Sequence, residues 1–405
     1  MRGIEYFRQL LESKRLGVLL RYGYYEMHQQ VLDFGISTPP KLQHWQSVVG
    51  WGAKAVDTLA DRLTWGRFKN DLFDLDGIYN MNNPDVVFDS AILSALISGC
   101  SFIYISPDGD GFPRLQVIDG ANATGEVDPL TGLLTEGYAV LSRDDQNRPL
   151  VEAYFLPNTT TIYEKGKDGM VYSHSVGYPL LVPIIHRPDA ARPFGHARIS
   201  RAVMNLIGSA MRTLKRGEIS AEFYSFPQKY VSGLAEDAEL DKWSAAMSAM
   251  ITITKDADGD HPIFGQFQQQ TMTPHLDQLR MFASMIAGET GLTLDDLGFP
   301  SDTPSSAESI KAAHDNLRLA ARKAQRCFGS GFLNAGFLAA CLRDKQAYER
   351  SELYRTRPVW QPIFEPDAAA ISLIGDGVIK LNNAIPGYIT QERLDELLGF
   401  DGGDD

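Results

Sequence analysis

Asp256, Asp258 and Asp260, in the run DADGD, have the alternate spacing of the first three oxygen ligands of a calcium loop. The sixth position should be glycine and is His261. The twelfth should be glutamate and is Phe267. The loop chemistry therefore fails, and the run reads as a solvated hairpin turn. GDGFPR at 109–114 starts like a dinucleotide-binding glycine loop but lacks its third glycine. No phosphate-loop motif, no His-Glu-x-x-His and no Gly-x-Ser-x-Gly nucleophile elbow occurs. The histidines lack metal-ligand spacing; His261 and His275 come nearest and are expected on loops or helix ends. Carboxylates are plentiful, but no pair is placed for acid–base work. No catalytic residue, metal site or cofactor is expected.

Charge is the more informative chemistry. The 405 residues carry a net charge of −13, which argues against a protein that coats nucleic acid. Yet Arg198, Arg201, Arg212, Lys215 and Arg216 fall within a stretch free of acids. On a helical wheel the five occupy one sector, from about 260° to 360°. Ile199, Ala202, Val203, Leu206, Ile207, Ala210 and Leu214 occupy another, from about 40° to 180°. A helix with one apolar face and one basic stripe results. The stripe is either solvated or meets an acidic surface of another subunit or a nucleic acid. A second set, Tyr22, Tyr24 and Tyr25 beside Arg21, could stack on bases, but packing of a helix against a sheet explains these residues better.

Cys100, Cys327 and Cys341 are odd in number and form no C-x-x-C pair. They are expected as small buried hydrophobes in a reducing compartment. No apolar run approaches the roughly 20 residues that span a bilayer, and the start of the chain reads as an amphipathic helix rather than a leader. The expectation is no membrane contact and a protein made in a cytoplasm.

Several elements must position these groups. Helices are expected over 4–35, 43–63 and 85–98. Between Cys100 and Arg187, β-rich runs alternate with turn clusters every eight to twelve residues, as in an antiparallel meander. The basic-striped helix follows and stops before Pro227. Next come a strand at 227–232, an acidic helix at 236–250, a hairpin pair at 250–254 and 262–268, and a helix from 274 to 289. After the irregular GLTLDDLGFPSDTP, Ser305 and Glu308 form a capping box. The helix they open is expected to reach Lys345 and to bend at Gly329, Gly331 and Gly336. One more helix is expected at 390–398. The fold class is α+β.

This order of parts resembles the portal proteins of tailed bacteriophages, in the branch with long non-contractile tails. Three stretches carry the resemblance. RYGYYEM (21–27) looks like the family's basic-Tyr-Tyr stretch. Residues 179–233 run from PLLVPIIHRPDAARPFGHAR through the basic helix to FPQKYVSG, the family's most recognisable segment. Residues 291–329, from GLTLDDLGFP to the Lys/Arg-rich SSAESIKAAHDNLRLAARKAQ, look like its tunnel loop and following helix.

The resemblance implies a ring of typically twelve subunits at one capsid vertex of the virion, assembled in the host cytoplasm. Double-stranded DNA would pass through its channel. The terminase packaging motor, a head–tail adaptor, and the major capsid and scaffolding proteins would be partners. Carried over, 1–195 is the wing, 196–223 the first stem helix and 224–272 the clip, where Phe226, Gln228, Tyr230 and Trp243 would meet motor or adaptor. Residues 273–290 are the second stem helix, 291–305 the tunnel loop with Asp295, Asp296 and Asp302, 306–360 a long wing helix and return, and 361–405 a short crown. Phosphate neutralisation by Lys and Arg supplies most non-specific DNA affinity, so an acid-lined bore would let DNA slide. The basic stripe would then face a neighbouring subunit. The rival readings are a DNA-processing enzyme (nuclease or packaging ATPase) and a soluble ligand-binding module.

Overall fold

A computed structural model describes residues 2–30, 44–107, 111–225, 229–232, 263–266, 271–300, 307–364, 366 and 368–398. The acidic helix, the strand at 250–254, the DADGD run and the capping serine fall outside the described residues. The chain forms two compact units. One comprises 1–29, 50–204 and 287–405; the other comprises 30–49 and 205–286.

The first unit opens with α1 (Ile4–Tyr25) and α2 (Trp51–Ala60). The second helix is shorter than its sequence pattern, because residues 44–50 are not helical. Strand β1 (Trp65–Lys69), the short α3 (Leu75–Asn80) and α4 (Pro84–Ser98) follow. Eight strands come next: β2 (Cys100–Pro107), β3 (Pro113–Asp119), β4 (Ala123–Val127), β5 (Leu134–Arg143), β6 (Pro149–Leu156), β7 (Thr159–Glu164), β8 (Met170–Ser173) and β9 (Leu181–Ile185). Each falls on a β-rich run between turn clusters. They do not form one meander. β4 to β8 make a five-stranded antiparallel sheet in chain order, whereas β9 returns to pair with β2 in the separate sheet β3-β2-β9.

α1 covers the five-stranded sheet. Phe7 and Leu11 pack on Tyr138, Val140 and Tyr154. The polar rim of this contact is closed: Arg8 donates Nε and Nη2 to Glu152 at 3.1 and 2.6 Å, and Tyr154 donates to Glu136 at 2.5 Å.

The expected long helix is two, α7 (Ala307–Ala313) and α8 (Asp315–Arg343), separated at His314. The three glycines do not interrupt α8; they let it pack closely. A Cβ on Gly329 would lie 2.7 Å from Pro358, one on Gly331 2.8 Å from Ile184, and one on Gly336 3.2 Å from Tyr79. The helix thereby lies between β9, α3 and β12 (Arg357–Trp360), a strand that pairs with β1. Phe88, Trp65, Tyr79 and Phe332 form the aromatic centre of the core, and Tyr79 donates to the Phe332 carbonyl at 2.7 Å. Two helices close the chain, α9 (Ala368–Ala384) and α10 (Gln391–Leu398). α9 was not expected, because Gly375 and Gly377 break up its apolar pattern.

The second unit takes most of α5 (Arg201–Ser225) and of α6 (Thr273–Thr290). Between them β10 (Lys229–Ser232) pairs antiparallel with β11 (Ile263–Gln266). Thr213 donates to the Gln278 side chain at 3.0 Å and links the two helices.

Candidate functional site

The segment that leads into α5 is built on a tight backbone contact. β9 ends at Ile185 and His186 turns inward, with Nδ1 2.7 Å from the His196 carbonyl. Burial pushes the His186 imidazole down to about 4, so the ring is neutral and Nδ1–H donates. Arg187 adopts a left-handed φ of 51°. Asp189 then caps its own turn, accepting from the Ala191 and Arg192 amides at 2.8 Å each, and meets His196 at 2.6 Å. That last contact is the main reason the Asp189 carboxyl sits below its ordinary range. Gly195 closes the loop at φ 72°. The Arg-Pro-Phe-Gly motif is therefore a backbone device: its glycine lies where a side chain cannot.

Ser200 accepts from the Val203 amide at 3.2 Å and so caps α5. This cap corrects the expected helix start. Arg198 lies before the helix, not on its stripe. Its guanidinium is enclosed and donates from Nε to the Ala55 carbonyl and from Nη2 to the Thr290 carbonyl, the latter at 2.8 Å. Burial pulls it down to about 10, with help from Arg187. The serine at 200 was the signal that sequence reasoning missed.

The remaining stripe is on α5 as expected. Val203, Ile207, Ala210 and Met211 are buried on one side. Arg201 and Arg216 are exposed, and Arg212 and Lys215 are half-buried. Arg212 donates to Ser209 at 2.9 Å. Ala202, expected on the apolar face, is exposed. Glu218 accepts hydrogen bonds from Trp45 and Ser47 within the second unit.

The acidic loop starts where α6 ends. Gly291 takes a φ of 71° and its amide donates to Ala287 at 2.8 Å, a helix-stopping geometry. Leu292 and Leu297 are buried, and residues 295–297 make one 310 turn. Asp295 is exposed. Asp296 turns inward instead: it accepts from the Thr293 amide and hydroxyl at 2.9 Å each and lies 3.6 Å from His314 Nε2. Burial raises its pKa, but the Thr293 bonds and His314 outweigh burial and leave it below the ordinary carboxylate range. Asp302 falls outside the described residues. So do Phe226, Gln228 and Trp243; Tyr230 is the second residue of β10.

The tyrosines near Arg21 are half-buried, and Tyr25 donates to Asp57 at 2.9 Å. Their place is packing. Cys341 is buried, Cys100 and Cys327 are half-buried, and all three are free thiols. Burial pushes the Cys100 thiol up to about 12, which leaves no thiolate for chemistry at neutral pH. A cavity of about 410 Å³ gathers Asp57, Asp61, Asp85 and Asp89 with the hydroxyls of Tyr25, Thr64 and Ser90, and among the described residues its lining holds no histidine, lysine, arginine or cysteine. Among the described residues no His/Cys/Asp/Glu group is placed to hold a metal ion, and no helix is long and apolar enough to cross a membrane.

No protein-family model matches this chain. Its sequence is 25% identical, over 402 aligned positions, to the portal protein of Mycobacterium phage D29, covering 93% of this chain and 81% of that one. It is 24% identical over 403 positions to the portal protein of Mycobacterium phage L5, with the same coverage. Among solved structures it resembles a chain of the virion of a native gene transfer agent particle, with a TM-score of 0.46 and 12% identity over 96% of this chain and 99% of that one. It also resembles a chain of the neck of such a particle, with a TM-score of 0.48 and 14% identity over the same shares.

Proposed function

We infer that this chain is a phage portal protein, the subunit of a ring at one capsid vertex through which DNA is packaged and ejected. The observation that carries the reading is similarity to two phage portal proteins along 93% of the chain. The mixed helical and antiparallel architecture agrees with it.

The finer assignments follow as proposals. The chain assembles into a ring, twelve subunits being the typical number. Residues 1–195 form the wing. Residues 196–223, with the helix proper starting at Arg201, and 273–290 form the stem. Residues 224–272 form the clip, which docks the terminase motor during filling and a head–tail adaptor afterwards. Residues 291–305 face the channel, 306–360 return through the wing, and 361–405 make a short crown. Asp295 and Asp302 present acid to the passing duplex, and Arg201, Arg212, Lys215 and Arg216 face a neighbouring copy. The protein performs no chemistry of its own, and the motor supplies the work.

Negative-stain microscopy of the purified protein tests this reading. Rings with a central hole wide enough for duplex DNA are expected. A particle that stays monomeric at every concentration, or one that cuts DNA when given a divalent metal, would overturn it.

A further inference from the structure

Arg198 stands out as a largely enclosed cation whose partners are two carbonyl oxygens and, among the described residues, no carboxylate. Such a charge is costly unless its donors are satisfied. Here one acceptor is the carbonyl of Thr290, the last residue of α6. It stands at a helix C-terminus, where partial negative charge accumulates and a cation is favoured. The other acceptor, Ala55, belongs to α2. The guanidinium fork addresses both at once, which a lysine ammonium on its single flexible stem cannot do in the same geometry.

The same helix grips the other end of the segment. Trp51, one turn before Ala55, donates Nε1 to the Leu297 carbonyl at 3.2 Å and lies against the Phe299 ring at 6.3 Å between centroids. In between, Asp296 ties down Thr293, and the Leu297 and Phe299 amides both donate to Leu294 at 3.0 Å. Leu292 and Leu297 are buried.

We propose that Arg198 is a positioning residue that locks residues 290–299 onto α2, making the base of the acidic loop a fixed collar that presents Asp295 at a set place. The role of that collar in a channel rests on the portal reading; the clamp itself does not. Any displacement of 290–299 as a body must break the Arg198–Thr290 bond, which is charge-assisted and partly buried. Because Arg198 lies three residues before α5, the clamp also ties the root of the first stem helix to the end of the second.

Hydrogen–deuterium exchange on the full chain tests this, with wild type, Arg198→Met, Arg198→Lys and Trp51→Phe compared. In Arg198→Met, amides of 290–299 should exchange at least about tenfold faster, while those of β5 and β6 keep their wild-type rates. Arg198→Lys should recover part of the protection. Trp51→Phe should loosen the 297–299 end alone, and it carries the test if Arg198→Met does not fold. Unchanged exchange over 290–299, or an equal rise in every element, overturns the proposal. Microscopy of the same wild-type sample separates the two claims: absence of rings refutes the portal reading, whereas rings with an unclamped 290–299 refute the collar.

Discussion

A Cβ built on Gly195 would stand 2.1 Å from the carbonyl oxygen of His186. No real Cβ approaches a carbonyl that closely, and the position also demands a φ of 72°. Alanine there faces a backbone clash as well as left-handed strain, so Gly195→Ala should cost about 3 kcal/mol or more. Gly132 has nearly the same φ, 71°, with open space around it. Gly132→Ala should cost only about 1 kcal/mol. Denaturant unfolding of the two variants separates conformation from contact. Equal losses would mean that the close approach to His186 is not what fixes the glycine.

The glycines of α8 make a prediction of opposite sign to helix propensity. In an exposed helix, Gly→Ala stabilises by about 1 kcal/mol. Gly331 abuts Ile184 and the Pro183 carbonyl, which a Cβ would meet at 2.8 and 3.3 Å. Overpacking of this kind costs about 1–3 kcal/mol. Gly331→Ala should therefore lower the melting temperature. If it raises it, the glycines serve flexibility rather than packing.

His186 gives the fold a defined sensitivity to acid. The unfolded chain binds this proton below about pH 6.5, the folded chain only below about 4. The unfolded state therefore holds more protons between those values, and stability should fall by about 3 kcal/mol as pH drops through them. Asp76 acts in the opposite direction: burial raises its pKa to about 6, which favours the folded state as pH falls over part of the same window. The two are told apart with His186→Asn, which keeps a donor near Nδ1. The variant should lose the imidazole's share of the slope and keep that of Asp76. Identical pH profiles for variant and wild type would show that the buried imidazole plays no part.

Much of the architecture was legible because its signals are local. Turn clusters such as Asp144–Arg148 bound short β-rich runs, and the ends of α4 and α6 matched expectation within a residue. The division of the strands into two sheets was not legible, because β9 pairs with β2 across the whole intervening sheet and no local pattern records that choice. α3, at six residues, is too short to show a period. The glycines of α8 read as breaks because their reason lies on other elements, at Pro358, Ile184 and Tyr79. In the candidate site, Arg201, Arg212, Lys215 and Arg216 lie on α5 and Asp295 and Asp296 follow α6, but composition could not show which way each side chain turns. Asp296 turns inward because Thr293 offers two donors, and Arg198 turns inward because Thr290 ends a helix.

That difference in direction separates two carboxylates next to each other in sequence. Asp295 is exposed, and Asp296 is bound to Thr293. Asp295→Lys, at an exposed position, should cost less stability than Asp296→Asn. It should raise non-specific duplex affinity at least about tenfold at low salt, with a steeper dependence on salt concentration, since each copy adds a phosphate-binding cation. Asp296→Asn should do the reverse, loosening the loop with little change in DNA binding. Filter binding across a salt series, read beside thermal melts, gives both quantities. Strong DNA binding by the wild-type ring at physiological salt would contradict an acid-lined passage altogether.

The basic stripe on α5 faces the hardest test, because individual surface ion pairs contribute only about 0.2–1 kcal/mol. A ring repeats the contact at every interface, and a heterologous interface does not close if each copy repels the next. Reversing Arg216 alone should therefore shift assembly only slightly. Reversing Arg201, Arg212 and Arg216 together should convert rings to smaller species, most completely at low ionic strength, where repulsion is least screened. High salt should restore part of the ring population. Mass photometry across a salt series follows these species directly. Intact rings in the triple variant at low salt would remove the stripe from the subunit interface and leave it to solvent or to DNA. The same variant then decides between those two: loss of residual duplex binding assigns the stripe to the DNA, and unchanged binding assigns it to water.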